Sequence, residues 1–165
     1  MNADETSLAD LVRQVHRNYP TGVTVITTMH EGVPYGLACN AFASVSLAPP
    51  MVLFCVNQST QTHRHLRKNS AVGINVLASD QAALAEVFAH SGADKFAQTS
   101  WHLGERGVPL VSEAAANFEA TIVDTLDAGT HTVFIAQIST ATKRDVEPLL
   151  YLHGSYLKPA NATLA

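Results

Sequence analysis

Hydroxyl and amide side chains crowd one stretch of this chain. Between Tyr35 and Thr62 stand Asn40, Ser44, Ser46, Ser59, Thr60 and Thr62, placed at both ends of an apolar run, Met51–Val56. Such groups bind anions and the polar edges of flat rings. Ser59 or Thr60, opening a helix read over Thr60–Lys68 with Arg64 behind it, suits a phosphate, because free backbone N–H groups and the helix dipole both favour negative charge there. The same residues would serve equally as a plain N-cap on a solvated basic face. Phe42-Ala43-Ser44-Val45-Ser46 has small side chains that let a backbone lie close along a ring; it also reads as an irregular loop ended by Pro49-Pro50. His131, just after Gly129-Thr130, opens a strand from which an imidazole could orient an amide or move a proton. His63 and His65 read as residues of a solvated helix face, and His90 and His102 lack metal-ligand spacing.

The elements that must position these groups are mostly strands. Leu8, Leu11, Val12 and Val15 fall at helical spacing after Ser7 and Asp10, which predicts an amphipathic helix over 7–17 that ends before Asn18-Tyr19-Pro20. Gly22–Met29, a turn at His30–Pro34 and Tyr35–Ala38 form a predicted hairpin. Asn40–Ser46 is too polar for a core strand, whereas Met51–Val56 is apolar throughout and should be buried on both faces. Ala71–Leu77 reads as a strand, a helix capped by Ser79 or Asp80 runs through Phe88, and Ser91–Pro109 is a long connection of the kind that often carries function. Phe118–Leu126 and His131–Thr140 flank Asp127-Ala128-Gly129 as a second hairpin, Leu149–Leu152 is a last strand, and the tail from Pro159 reads as loose. Hairpin spacing with helices only as inserts predicts a mainly β, antiparallel barrel.

Composition narrows the function classes. A chain of 165 residues fits one domain, and 47% hydrophobic with only 15% charged residues is apolar enough to predict a homo-oligomer. A formal charge of −4 and no basic tract argue against nucleic acid. No stretch reads as a membrane span or export signal, which predicts a cytoplasmic protein with Cys39 and Cys55 reduced. No Gly-x-Gly-x-x-Gly, Gly-Lys-Ser/Thr, Gly-x-Ser-x-Gly or His-Glu-x-x-His occurs, so dinucleotide-fold dehydrogenase, NTPase, hydrolase and zinc-protease readings lose support.

One linked set of segments goes further. Thr21-Gly22-Val23-Thr24-Val25-Ile26-Thr27, Asn40-Ala41-Phe42, Ser44-Val45-Ser46-Leu47, Pro49-Pro50-Met51-Val52-Leu53, Asp94-Lys95-Phe96, Gly107-Val108-Pro109-Leu110 and Gly129-Thr130-His131-Thr132 follow one another in order. Taken together, from about Tyr19 to Tyr156, the chain resembles the flavin reductase-like family of FMN-binding split barrels, the reductase components of two-component flavin-dependent monooxygenases. The resemblance implies one domain over 1–165 with its core at 19–156, built as a six-stranded Greek-key barrel with flanking helices. It also implies a homodimer with flavin at or near the subunit interface. FMN or FAD would be the flavin and NADH or NADPH the co-substrate, with reduced flavin passing by diffusion to a separate monooxygenase. Residue by residue, Asn40, Ala41, Phe42, Ser44, Val45 and Ser46 would follow the flavin ring and chain. Cys55 and Val56 would lie beside it, Ser59, Thr60 and Thr62 would take its phosphate, and Lys95 and Phe96 would adjoin it. His131 would meet the nicotinamide, and no metal is required. Thr130 stands where the family has aspartate, Ala38 where threonine is common, and Leu152-His153-Gly154-Ser155 lacks an arginine often found there. The altered turn keeps a second reading open, a flavin-binding carrier or sensor without turnover.

Overall fold

The computed structural model describes residues 7–92 and 94–159. In chain order its elements are α1 (Leu8–His16), β1 (Thr21–Gly22), β2 (Thr24–His30), β3 (Val33–Cys39), β4 (Phe42–Leu47) and β5 (Pro50–Asn57). A single 3-10 turn (Thr62–His65) then leads to β6 (Ala71–Val76), α2 (Ala82–Ala89), β7 (Trp101–Leu103), β8 (Pro109–Val111), β9 (Ala116–Ala128), β10 (His131–Lys143), β11 (Leu150–Leu152) and β12 (Ser155–Leu157). The tail beyond Pro159, read as loose, lies outside the described residues.

One antiparallel sheet dominates, in the order β3-β2-β6-β9-β10-β5-β4. It has seven strands rather than six. Its two edge strands, β3 and β4, are consecutive in the chain and separated only by Asn40 and Ala41. Three Cα–Cα steps span at most about 11 Å, so the two edges must come together and the sheet must roll into a barrel. The roll is closed at its end by hydrogen bonds from Cys55 N–H to the Ala41 carbonyl (3.0 Å) and from the Cys39 thiol to the Cys55 carbonyl (3.4 Å).

The barrel interior is filled by alternate residues of these strands, among them Ile26, Val52, Phe54, Ile74, Ile122 and Phe134. Phe54 and Phe134, paired in register, stack at 5.3 Å. A second core, of Val25, Leu77, Phe88, Phe96, Val111 and Leu149, seats α2 and the β8 and β11 segments against the outside. The β2–β3 hairpin turns at Glu31 and Gly32, both at positive φ (50° and 78°), which places the apolar faces of the two strands in register.

Several sequence expectations are corrected. Phe42–Ser46 is no irregular loop but part of the edge strand β4, with a bulge between Ser44 and Ser46; the polarity of Asn40–Ser46, which excluded a core strand, reflects the exposure of that edge. Met51–Val56 is not buried on both faces; Val52, Phe54 and Val56 face the core while Met51, Leu53 and Cys55 stay half-buried. The helix over Thr60–Lys68 is only the turn Thr62–His65, because Leu66 is already extended and only Thr62 and Leu66 anchor the segment inside. The Ser91–Pro109 connection contains β7, which pairs with β8. Helix α2 carries Gln81, not Ser79 or Asp80, at its N-cap position. Strand β12 closes a three-stranded sheet with β1 and β11.

Gly73 on β6 shows how tightly the β8 segment sits. A Cβ there would stand 2.7 Å from the Pro109 carbonyl oxygen and collide with the Thr27 hydroxyl that bonds to that same oxygen. Gly73→Ala should therefore cost about 1–3 kcal/mol, lowering Tm by about 2–4 °C per kcal/mol in a domain of this size. A calorimetric scan showing an unchanged Tm would mean that β8 yields freely.

Candidate functional site

The cleft at the split of the barrel has a volume of about 410 Å3, within the range of small-molecule sites, about 300–1,000 Å3. Its walls come from β3, the Asn40–Ala41 corner, the end of β5, the loop before the 3-10 turn, the end of α2 and the Asp94–Phe96 segment, with His131 entering from β10. Small residues, Gly36, Ala38 and Ala41, leave the backbone open along one wall, while Thr60, Gln61 and Thr62 supply hydroxyl and amide groups at another. Flat apolar surface bounded by hydroxyl and amide donors fits a planar heteroaromatic ring carrying a phosphate.

Nine of the residues singled out from sequence share this cleft: Asn40, Ala41, Cys55, Val56, Thr60, Thr62, Lys95, Phe96 and His131. Five do not line it. Phe42 packs on Phe118 (6.4 Å between rings), and Ser44, Val45 and Ser46 continue along the β4 edge. The Ser59 hydroxyl donates to Asn57 Oδ1 (2.8 Å), outside the cleft lining. The phosphate argument from a helix dipole loses its basis as well, because one 3-10 turn carries little dipole. What remains at that end is side-chain chemistry. The Thr60 hydroxyl donates to the Asn57 carbonyl (2.8 Å) and accepts from His63 N–H (3.3 Å), fixing the loop so that buried Thr62 faces the cleft.

Lys95 reaches back across the cleft wall. Its Nζ donates to the carbonyls of Gly36 (3.2 Å) and Phe88 (3.1 Å), tying the end of α2 to β3, and burial lowers its pKa. Two of its three protons are thereby committed, leaving one for a bound group. Phe96 beside it is held in T-shaped contacts with Phe88 and Trp101.

His131 Nδ1 lies 2.9 Å from the Thr130 hydroxyl, so Nε2 is the ring nitrogen left for a ligand. Behind it runs a polar chain, buried only at Thr132, that sequence reading did not find. The Thr132 hydroxyl donates to Asp127 Oδ1 (2.8 Å) and sits 2.9 Å from His63 Nε2. Because that hydroxyl's one proton goes to the carboxylate, His63 must be the donor, and burial, assisted by Arg67, lowers the His63 pKa. His65, likewise expected on a solvated face, stacks on Tyr35 at 3.9 Å. Both imidazoles, half-buried, thus pack against neighbours of the cleft, His63 on Thr132 and His65 on Tyr35. Asn57, Gln61 and the α2 end at Ala89–Gly92 were also missed, and nothing in their local sequence distinguishes them. Among the described residues no three potential metal ligands gather.

Fold and cleft together define a split-barrel domain with a ligand cleft at the split. A model of the flavin reductase-like domain family matches residues 16–159. The reductase component of 4-nitrophenol 4-monooxygenase/4-nitrocatechol 2-monooxygenase from Rhodococcus opacus is 42% identical over 144 residues, covering 87% of this chain and 77% of that protein. An NADH-dependent FMN reductase of Agrobacterium fabrum is 35% identical over 138 residues, 84% of this chain and 79% of the relative. Among solved structures, the NADH:FAD oxidoreductase of Streptomyces globisporus C-1027, in complex with NAD and FAD fragments, superposes with a TM-score of 0.90 at 35% identity, over 98% of this chain and 99% of that one. The chain belongs to the flavin reductase-like family.

The two thiols differ in environment. Burial pushes the Cys39 thiol up to about 11, while Cys55 is only half-buried and less perturbed. At pH 8 iodoacetamide should label Cys55 first and Cys39 only after unfolding; mass spectrometry showing equal labelling would contradict this burial. Raised pKa values mean that the folded state favours the protonated thiol. That contribution is complete below the unfolded-state pKa and is lost as pH rises through the folded value, so chemical denaturation should show stability falling between about pH 9 and 11, and falling less in Cys39→Ser.

Proposed function

We propose that the protein is an NAD(P)H:flavin oxidoreductase that supplies reduced flavin to a separate monooxygenase. The observation that carries this reading is the cleft itself, where small-residue backbone, hydroxyl donors and His131 converge at the barrel split. Family membership and relatives named as reductases support turnover over the carrier or sensor reading.

In this reading Ala38–Ala41, Cys55 and Val56 would hold the flavin ring and Thr60 and Thr62 its phosphate. When bound, the flavin would supply the acceptor for a hydride from reduced nicotinamide. The chain's part is positional: the Asn40–Ala41 corner supplies backbone groups to the ring edge, Lys95 offers one cationic N–H, and His131 donates from Nε2 to the carboxamide. NADH is the expected donor, in line with relatives named NADH-dependent.

A homodimer completes the proposal. Leu8, Leu11, Val12 and Val15 of α1, the helix stripe read from sequence, are all exposed in the single chain, as are Val45 and Leu47 (88%) on β4. A second copy over the β4 edge would cover them and bring Phe42, Ser44, Val45 and Ser46 to the interface where flavin is expected. Among the described residues no helix is long and apolar enough to cross a membrane, and we place the protein in the cytoplasm with its reduced flavin leaving by diffusion.

Purified protein given FMN or FAD and then NADH or NADPH in air should oxidise the nicotinamide at about tens of turnovers per second. Bound flavin without oxidation above the free-flavin rate would leave only the carrier reading. Thr60→Ala with Thr62→Ala should weaken FMN about ten-fold and riboflavin less than about two-fold, whereas Ser59→Ala should change neither. Equal loss for both flavins, measured by fluorescence quenching, would place the phosphate elsewhere.

A further inference from the structure

Strand β10 sends alternate residues into the barrel, and toward its N-terminal end these are Thr132, Phe134 and Ala136. Phe134 and Ala136 fill their places with apolar surface. Thr132, only 5% exposed, puts a hydroxyl there instead, and a buried hydroxyl is costly unless it is bonded. Both of its bonds lead out of the core. Its proton goes to Asp127 Oδ1 (2.8 Å) at the exposed end of β9, and its oxygen accepts from His63 Nε2 (2.9 Å) on the 3-10 turn. Packing alone asks for neither bond.

The loop Gln58–His63 runs from β5 into that turn and carries Thr60 and Thr62, the hydroxyls of the cleft wall. Its first residue is fastened to the same place: the Gln58 N–H donates to the Thr130 carbonyl (3.0 Å), and the Gln58 side-chain amide reaches Asp127 Oδ1 (3.3 Å) and Thr132 Oγ1 (3.4 Å). Among the described residues, every side-chain hydrogen bond from this loop to the β9–β10 hairpin ends on Asp127 or Thr132. Thr60 and Thr62 therefore stand between two clips that share one anchor. The groups assigned to the flavin ring do not depend on it, because Asn40, Ala41, Cys55 and Val56 belong to β3, β5 and the corner between β3 and β4. His131 is also fixed independently, by its pairing with Asn57 in the ladder and by the Thr130 hydroxyl.

Resting on the flavin reductase reading above, we propose that Thr132 is a positioning residue for the flavin phosphate. Through His63 its hydroxyl holds the loop so that Thr60 and Thr62 stay in place, and the protein's preference for a phosphorylated flavin over riboflavin depends on that bond. Without it the loop must be ordered by the ligand, at a cost charged only to ligands that use the loop.

Three variants test this. Thr132→Val keeps the buried shape and removes the hydroxyl, Thr132→Ser keeps the hydroxyl, and His63→Phe keeps a ring against Phe134 while removing the N–H. Thr132→Val should raise Kd and KM for FMN about five-fold, with riboflavin weakened less than about two-fold and kcat at saturating FMN unchanged. Thr132→Ser should restore the wild-type values. His63→Phe should give the same split, and the double variant should lose no more than either single one, since both remove one bond. Equal weakening of FMN and riboflavin, no rescue by serine, additive losses, or no change at all overturns the proposal. Should Thr132→Val fail to fold, the half-buried His63 decides by the same FMN-to-riboflavin split. If the wild type binds no flavin, or binds FMN no better than riboflavin, the phosphate assignment of the functional reading fails separately. Amide hydrogen exchange then decides the role of Thr132: faster exchange over Gln58–His63 in either single variant, with the β9–β10 ladder unchanged, supports it, and unchanged exchange overturns it.

Discussion

A two-residue link governs this fold. Asn40 and Ala41 join the first and last strands of a seven-stranded sheet, and so short a tether leaves the sheet no choice but to roll. The sheet's ordinary twist supplies the curvature, and the Cys55–Ala41 and Cys39–Cys55 hydrogen bonds close the end. Closure is incomplete beyond that point, and the gap is the cleft. Barrel and binding site are thus consequences of one constraint, which is why the wall nearest the link is made of small residues whose backbone stays accessible.

Much of the architecture was legible because it rests on local pattern. Tyr35–Ala38, Phe118–Leu126 and His131–Thr140 are β-rich runs that each lie in a strand, and Gly22–Met29 spans the end of β1 and most of β2. Failures came where tertiary context overrides local preference. Phe42–Ser46 looked irregular because an edge strand need hide neither face; Met51–Val56 looked doubly buried because a single sequence does not reveal that one face of β5 is only half covered. The Thr60–Lys68 segment has helical composition but must arrive extended at β6, so one 3-10 turn is all it forms.

Within the site, the hydroxyls at Thr60 and Thr62 were visible as residue types, whereas the split between them and Ser59 was not. That split depends on Asn57, whose side chain takes the Ser59 hydroxyl while its carbonyl takes that of Thr60. Lys95 likewise carried a sequence signal, but its commitment to two carbonyls follows only from the approach of α2 to β3. The Asp127–Thr132–His63 chain joins residues up to 69 positions apart, a separation that no local pattern encodes. The family resemblance bridged part of this gap by supplying an order of segments, of which Asn40-Ala41, Asp94-Lys95-Phe96 and His131 meet in the cleft.

The account stands or falls on where the flavin lies. A crystal structure of the protein with FMN tests this most directly. It should show the ring between the Ala38–Ala41 backbone and Cys55–Val56, with phosphate oxygens in hydrogen-bonding range of Thr60 and Thr62. Flavin density lying along the outer face of β4, with this cleft filled only by solvent, would contradict it.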